Sequence, residues 1–458
     1  MIMATRTKIA EKSWQALSPD EKLERRLAAW LSPSGVKFAT SQSEADYRAR
    51  VTRITDAIKL RKTPDRVPVL PNLASFASDY CGYTQYQLMY DVEKVTEVAM
   101  KCTLDFQLDQ KVIPNVRPGK VLELIDYKLY NWPGHGVAKD GEIQFIDADY
   151  MKENEYDAFI KDASDYWTRT FLPRVMGALG PLHMFTNVFT YDGGGTADAI
   201  RPERLSEFGN PEAQSALEKL MQAGRETLAW QQKLGAVNQK LTELGFPTTT
   251  GSNGGIPFDR LGDYMRGQRG IVLDMLKQPD KLLEAMEKIT PLVIKQSVSG
   301  AKLGGCPIVG FAPHKGADGF MSDKQFRTFY WPTFRRVIMG LIEEGLIPRL
   351  FAEGGYNSRL EVIRDLPKGK TIWHFDYTDM AQAKEVLGDV ACIMGNVPLA
   401  LLNTGTPDQV TAYCRKLIDT VGKDGGFILA TGAGISQGAK VENVRAMIKC
   451  AKEYGVYS

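Results

Sequence analysis

The sequence predicts an α/β protein folded as a (β/α)8 TIM-type barrel, with an N-terminal helical extension and an insertion over the barrel mouth. Three observations carry this expectation. Short β-branched runs at 307–311, 347–351, 371–375, 390–394 and 426–430 are each followed by a longer helical pattern, at 323–345, 359–365, 380–387, 407–421 and 440–454. Alternation of this kind marks βα units and a parallel sheet, and five such units follow one another without interruption. Each run also ends in small, polar or ionisable residues: Pro313-His314-Lys315, Glu353-Gly354-Gly355, Asp376, Gly395-Asn396 and Thr431-Gly432. In a closed barrel these ends share one rim, and catalytic groups gather there.

The elements before this half are read in order. Ser18 as N-cap, Pro19 at the first helical position and Glu21 three residues on form a capping box, starting a helix that runs to about Leu31. A second helical stretch, from Ser43 to about Leu60, carries a charged face that places it on the surface of the barrel. The extension is therefore assigned to residues 1–62 and the barrel to 63–458. Residues 67–70 read as the first strand, 103–106 as the second and 248–250 as lying near the third, with helices around 86–101 and 282–302. The stretch from about 115 to 244 is too long for a simple crossover and reads as an insertion over the mouth. Its aromatic residues Tyr130, Trp132, Phe145, Phe185, Phe189 and Tyr191 suit either a flat apolar substrate or the packing of a lid.

Composition narrows the function classes. The chain has 458 residues, 43% hydrophobic and 24% charged, enough for a large core and for a barrel with insertions. Its 57 basic and 55 acidic side chains are spread evenly, which disfavours nucleic acid as a partner. Six cysteines without a CxxC pair argue against a zinc ribbon or redox dithiol and for reduced thiols. No apolar run approaches the roughly 18 residues of a membrane span, and the start has no apolar leader core, so a cytoplasmic protein without a membrane partner is expected. Neither GxGxxG nor the P-loop pattern occurs, which leaves a nucleotide site unsupported.

The chain has four histidines. Strand alternation sets His374 and Asp376 on one face, and Glu353 falls at the end of the preceding strand, so a carboxylate and an imidazole meet at the rim. Such a pair can ligate a metal or act as general acid and base, or it can be a hydrogen-bonded structural pair under the rim. His314 follows a strand and reaches the same rim, or is a loop histidine without a role. His135 and His183 sit in or near the insertion and contact a substrate or, as the plainer reading has it, sit on the surface. Asp379 forms an acid/base pair with Asp376 or caps the helix beginning near Met380.

The stretches Phe351-Ala352-Glu353-Gly354-Gly355-Tyr356, His374-Phe375-Asp376-Tyr377-Thr378-Asp379-Met380 and Gly395-Asn396-Val397-Pro398 resemble the corrinoid-dependent methyltransferase branch of the uroporphyrinogen decarboxylase superfamily. So do Gly319-Phe320-Met321-Ser322 and Gly425-Gly426-Phe427-Ile428-Leu429, and the resemblance runs from about Arg66 onward. The arginine-rich segment with which the decarboxylases hold substrate propionates is replaced here by Val69-Leu70-Pro71-Asn72-Leu73-Ala74-Ser75, against a tetrapyrrole substrate. Thiol-activating members carry His-x-Cys and a later cysteine, whereas this chain has His374-x-Asp376 and Thr431-Gly432-Ala433. The O-demethylase methyltransferases are similar in a Glu-x20-His spacing that Glu353 and His374 match; their further Glu, 15 positions earlier, is Ile338 here.

The resemblance implies a zinc-dependent enzyme that moves a methyl group from a methoxylated aromatic donor to the corrinoid of a partner protein. Glu353 and His374 are then the metal ligands, Asp376 and His314 catalytic, and the third ligand one of Asp376, His314, Glu343 or Glu344. Oxygen and imidazole donors make a hard Lewis acid suited to an ether oxygen. The partners expected are a small-molecule methyl donor, a corrinoid protein and a second copy of the chain. The alternative is a metal-free decarboxylase or lyase for a small carboxylic acid, with Asp376 or His374 as proton donor; a catalytically silent barrel is a third.

Overall fold

The computed structural model describes residues 12–184 and 202–457. Phe185, Phe189 and Tyr191 of the expected aromatic lid lie outside the described residues. The capping box forms as the spacing predicts: the Ser18 hydroxyl accepts from the Glu21 amide, the Glu21 carboxylate accepts from the Ser18 amide, and α1 (Pro19–Leu31) follows. Helix α2 (Ser41–Lys59) is capped by Thr40. These two helices are the floor of the barrel. Leu23, Leu27 and Trp30 of α1 and Tyr47, Val51 and Ile54 of α2 share one apolar core with Ile308, Ile347, Ile372, Cys392 and Ile428.

The insertion contributes three short strands, β1 (Tyr130–Pro133), β2 (Gly136–Val137) and β3 (Gln144–Phe145), in the order β2-β1-β3. Its aromatic residues pack on their own neighbours: Tyr130 meets Phe145 edge-on, and Trp132 stacks on His135. The helix Pro211–Glu243 then runs back along the helix Val92–Phe106, with Ala99, Val237 and Leu241 buried between them.

Six parallel strands come next in sequence order: β4 (Ser252–Asn253), β5 (Ile308–Phe311), β6 (Ile347–Ala352), β7 (Ile372–Phe375), β8 (Cys392–Val397) and β9 (Phe427–Thr431). Backbone hydrogen bonds from two irregular segments carry the circle from β9 back to β4. The Leu70 amide donates to Leu429 and the Leu429 amide to Pro68, the Asp109 amide donates to Val69, and the Lys111 amide donates to Pro247. Alternation sorts the side chains. Val309, Leu350, Trp373, Ile393 and Leu429 face the outer helices, whereas Ile308, Ile347, Ile372 and Cys392 face the floor.

Two expectations need correction. Residues 103–106 are not the second strand but the last turn of the helix Val92–Phe106, whose buried positions Val95, Val98, Ala99, Cys102, Thr103 and Phe106 repeat at helical spacing. The second stave is the segment just after it, through Asp109 and Lys111. The expected helix at 86–101 is two helices, Gln85–Tyr90 and Val92–Phe106, broken at Asp91, which caps the second. Asp379 takes the capping role, accepting from the amides of Ala381 and Gln382. No helix among the described residues is long and apolar enough to cross a membrane.

One buried carboxylate ties the irregular staves to the floor. Asp109, 0% exposed, accepts from Arg53 of α2 at 2.7 Å, from Arg66 at 2.8 and 2.9 Å, and from the Val69 amide at 2.9 Å. Removing one partner of such a cluster leaves charge buried without compensation. Asp109→Ala is expected to lower unfolding stability by about 3–5 kcal/mol, read from urea titration. A midpoint equal to that of the parent chain would remove Asp109 from this role.

Candidate functional site

Above the apolar floor the barrel holds a cavity of about 730 Å3. His374, at the inward position of β7 after Ile372, lines it, as do Arg349 and Phe351 of β6, Met394 of β8 and Gly310 of β5. His374 is 9% exposed, and its Nε2 lies 2.7 Å from the Thr431 carbonyl. A carbonyl only accepts, so Nε2 carries the hydrogen and Nδ1 presents a lone pair. Burial is the main reason its pKa falls to about 4; the Thr431 carbonyl opposes the fall and the Arg349 charge adds to it. The imidazole is neutral at pH 7.

The rim residues sit one level higher. Register sets Phe351 opposite His374 and Ala352 opposite Phe375, so Glu353 and Asp376 extend past the paired ends of β6 and β7. Glu353 is exposed, and its carboxylate takes no hydrogen bond from the described residues. Asp376 is partly buried; its Oδ2 accepts from the Gly354 amide at 3.2 Å, and burial raises its pKa. A side chain at Gly432 would come within 2.6 Å of Asp376 Oδ1, so the close approach of β9 to this carboxylate requires glycine there.

His314 belongs to a different cluster. Its Nδ1 donates to the Ala312 carbonyl at 2.9 Å and its Nε2 to Asp263 at 2.9 Å, where Lys315 also binds at 2.7 Å. Burial works against a charge on His314, but the hydrogen bond to Asp263 and the charge of Asp259 outweigh it and raise the pKa to about 9. Asp259, fully buried, accepts from Tyr330 at 2.6 Å with Oδ2, while its Oδ1 has no partner; burial pushes its pKa up to about 7. None of the side chains of His314, Lys315, Asp259, Asp263 and Tyr330 lines the cavity that holds His374, although Ala312 does. The structure thus separates the four residues singled out from the sequence: His374 in the cavity, Glu353 and Asp376 on the rim, His314 beside it.

The donors do not fit a zinc centre. His374 is prepared as metal ligands are, with its second nitrogen donating to a carbonyl. But among the described residues no group of three His, Cys, Asp or Glu side chains converges. Ile338 is buried in the helix Trp331–Glu343, and Glu344 accepts from Trp14 and Lys22 on the outer side. A structural zinc site needs four donors and a catalytic one three.

Sequence reasoning missed Arg349, Lys111 and Asp259. Arg349 had a legible signal, a cation inside the apolar strand run at 347–351, on the same alternation as Ile347 and Phe351. Asp259 had none, since it reads as an ordinary acidic residue in the first turn of the helix Pro257–Tyr264.

His374 carries a pH prediction. Between its ordinary pKa of 6.5 and about 4 the unfolded chain takes up a proton that the folded chain refuses. Stability therefore falls as pH drops through that window, by about 3 kcal/mol in full, and is unaffected by this group above it. His374→Gln, compared with the parent chain by urea midpoints at pH 4.5 and 7, is expected to show the shallower dependence; parallel slopes would mean that His374 is not buried neutral.

Comparison with known proteins places this geometry. The curated relatives include the methylated-thiol–coenzyme M methyltransferase of Methanosarcina mazei, 26% identical over 270 residues, covering 56% of this chain and 67% of that protein. The uroporphyrinogen decarboxylase of Aromatoleum aromaticum is 28% identical over 140 residues, covering 30% of this chain and 38% of its own. A solved methyltransferase structure from Methanosarcina mazei superposes with a TM-score of 0.56 at 17% identity, covering 88% of this chain and 98% of that one, a likeness of fold. The family model for uroporphyrinogen decarboxylase (URO-D) matches residues 196–454, more than half of the sequence and all six regular strands of the barrel. On that match, the chain belongs to the uroporphyrinogen decarboxylase family of enzymes.

Proposed function

We propose that the chain transfers a methyl group inside the barrel cavity, from a small methoxylated donor to the corrinoid of a partner protein docked at the mouth. The observation that carries this is His374, a neutral imidazole held in one tautomer by the Thr431 carbonyl on the wall of the barrel cavity. The similarity to a methyltransferase over 270 residues supports methyl transfer as the reaction type. The corrinoid would supply the nucleophile that accepts the methyl group.

The chain's own residues have three tasks. The barrel wall around Phe351 and Met394 binds an apolar body and keeps water from it. The Nδ1 lone pair of His374 accepts a hydrogen bond and so orients a donor that bears a hydroxyl. Asp376, whose carboxyl is held protonated to higher pH by burial, sits at the rim where the departing oxygen needs a proton; the oxygen takes it as the carbon–oxygen bond breaks, and solvent restores it. Zinc held by Glu353 and His374, which the family resemblance implies, lacks its third donor here, so no step is routed through it.

The test is transfer from methoxyaromatics to added reduced corrinoid, followed by the corrinoid spectrum. His374→Ala and Asp376→Asn are each expected to slow it by about 10²–10⁴-fold. Metal analysis of the purified parent chain and of His374→Ala decides the zinc question separately, bound zinc lost with the histidine being the result that restores it. A second reading, a metal-free decarboxylase, is favoured by the raised pKa of Asp376, a proton donor for a carbanion. Release of carbon dioxide from small aromatic or pyrrolic acids without methyl transfer would replace the proposal with that reading.

A further inference from the structure

Arg349 is a cation without a partner. It occupies the inward position of β6 between Ile347 and Phe351 and lines the cavity, and it makes no hydrogen bond or ion pair with any described residue. Burial works against its charge, and no carboxylate offsets this. A guanidinium does not escape by losing its proton. The arginines buried elsewhere in the described core have acidic partners: Arg53 has Asp65 and Asp109, Arg266 has Asp149 and Asp274, and Arg359 has Asp318 and Asp323.

The surroundings match this vacancy of charge. Lys111 also lines the cavity, and its ammonium donates to the Asn238 carbonyl at 2.9 Å and the Thr242 hydroxyl at 2.6 Å, both neutral acceptors. Among the described residues no aspartate or glutamate lines the cavity, which offers amides and hydroxyls such as Asn72, Gln110, Thr250 and Asn253. Space is reserved in front of the guanidinium. A Cβ at Gly310 would stand 2.8 Å from Asn253 Oδ1 and 3.6 Å from Arg349 Nη2, so the missing side chain leaves room between the amide and the cation.

We propose that Arg349, with Asn253 beside it, is the subsite for an oxyanion, a carboxylate or sulfonate carried by the small molecule that the enzyme works on. The proposal takes from the preceding section only that the barrel cavity is the substrate site. The physical reason is that a planar guanidinium pairs with two oxygens at once, and at a half-buried position that pairing is weakened less by water than at the open surface. The substrate would then be fixed by its charged end at Arg349 while its apolar body lies against Phe351 and Met394. The floor sets the depth of that anchor, because Ile347, one inward position below Arg349, is packed on α1 and α2.

Direct binding tests this without turnover or corrinoid. Calorimetric titration of the full chain with benzoate, benzenesulfonate and uncharged benzamide is expected to rank at least one of the two anions above benzamide. In Arg349→Met that anion should weaken by about 30-fold or more while benzamide is unchanged. Arg349→Met removes an unpaired, half-buried charge and should fold at least as well as the parent chain, which thermal unfolding checks. Gly310→Ala, which fills the space before the guanidinium and keeps the charge, should weaken the same anion. The inference is overturned if neither anion binds the parent chain better than benzamide, or if Arg349→Met binds both classes as the parent does. Methyl transfer from carboxylated donors that is indifferent to Arg349→Met would likewise sink the anion subsite and leave the proposed reaction standing; anion selectivity without methyl transfer would do the reverse.

Discussion

A barrel whose sheet is only partly regular has to be closed by something other than a continuous ladder, and here a single buried carboxylate takes that part. Asp109 binds Arg53 from the floor helix, Arg66 at the entry to the first stave and the amide of Val69 within it. Arg53 is held in turn by Asp65. The cluster joins the two staves that lack strand pairing to the helix beneath them. Because it is satisfied on all sides, the charge costs little in place and much if broken. The hydrogen-bond circuit from β9 through residues 68–70 and 109–111 to 247 depends on this anchor, and with it the enclosure of the cavity.

The interior is then built in two layers by alternation along each strand. Ile308, Ile347, Ile372 and Cys392 meet α1 and α2, while the next inward positions, Gly310, Arg349, His374 and Met394, line the cavity. Burial under the rim has opposite consequences for its two ionisable groups. His374 becomes neutral, whereas Arg349 stays charged and unpaired. A neutral imidazole beside an unsatisfied cation is an environment that favours an anionic guest over a metal ion, in agreement with the lack of a converging set of three donors among the described residues.

The cluster around Asp259 and His314 sits beside this cavity, sharing Ala312 with its wall, but its side chains do not line it. Its carboxylates and cations are bonded to one another, apart from the bare Oδ1 of Asp259, and Tyr330 and Lys315 pack it into the barrel wall. That closure explains why a histidine at the end of a strand need not face the substrate: the Ala312 carbonyl and Asp263 take both ring nitrogens.

Local chemistry written in the sequence was enough for the capping box at Ser18 and the five βα units after residue 305, since each depends on neighbours a few residues apart, while Asp379 read equally as a cap or as an acid/base partner until the structure showed the cap. The alternation in β7 also placed His374 on the inward face, and the spacing to Glu353 put both at adjacent strand ends. Tertiary structure decided what these residues meet. Residues 103–106 look like a strand in isolation and are helical because Val95, Val98 and Cys102 continue the same buried face. Glu353 and His374 stand on neighbouring strands yet differ in depth, because strand ends share a rim but not a level. Arg349 reads as an anomaly in the chain and acquires meaning only inside a closed barrel, where distance in sequence no longer separates it from Lys111, Asn253 and Gly310. The pattern of hydrophobic residues determines which elements form; which charges are left without partners is a property of the enclosed volume.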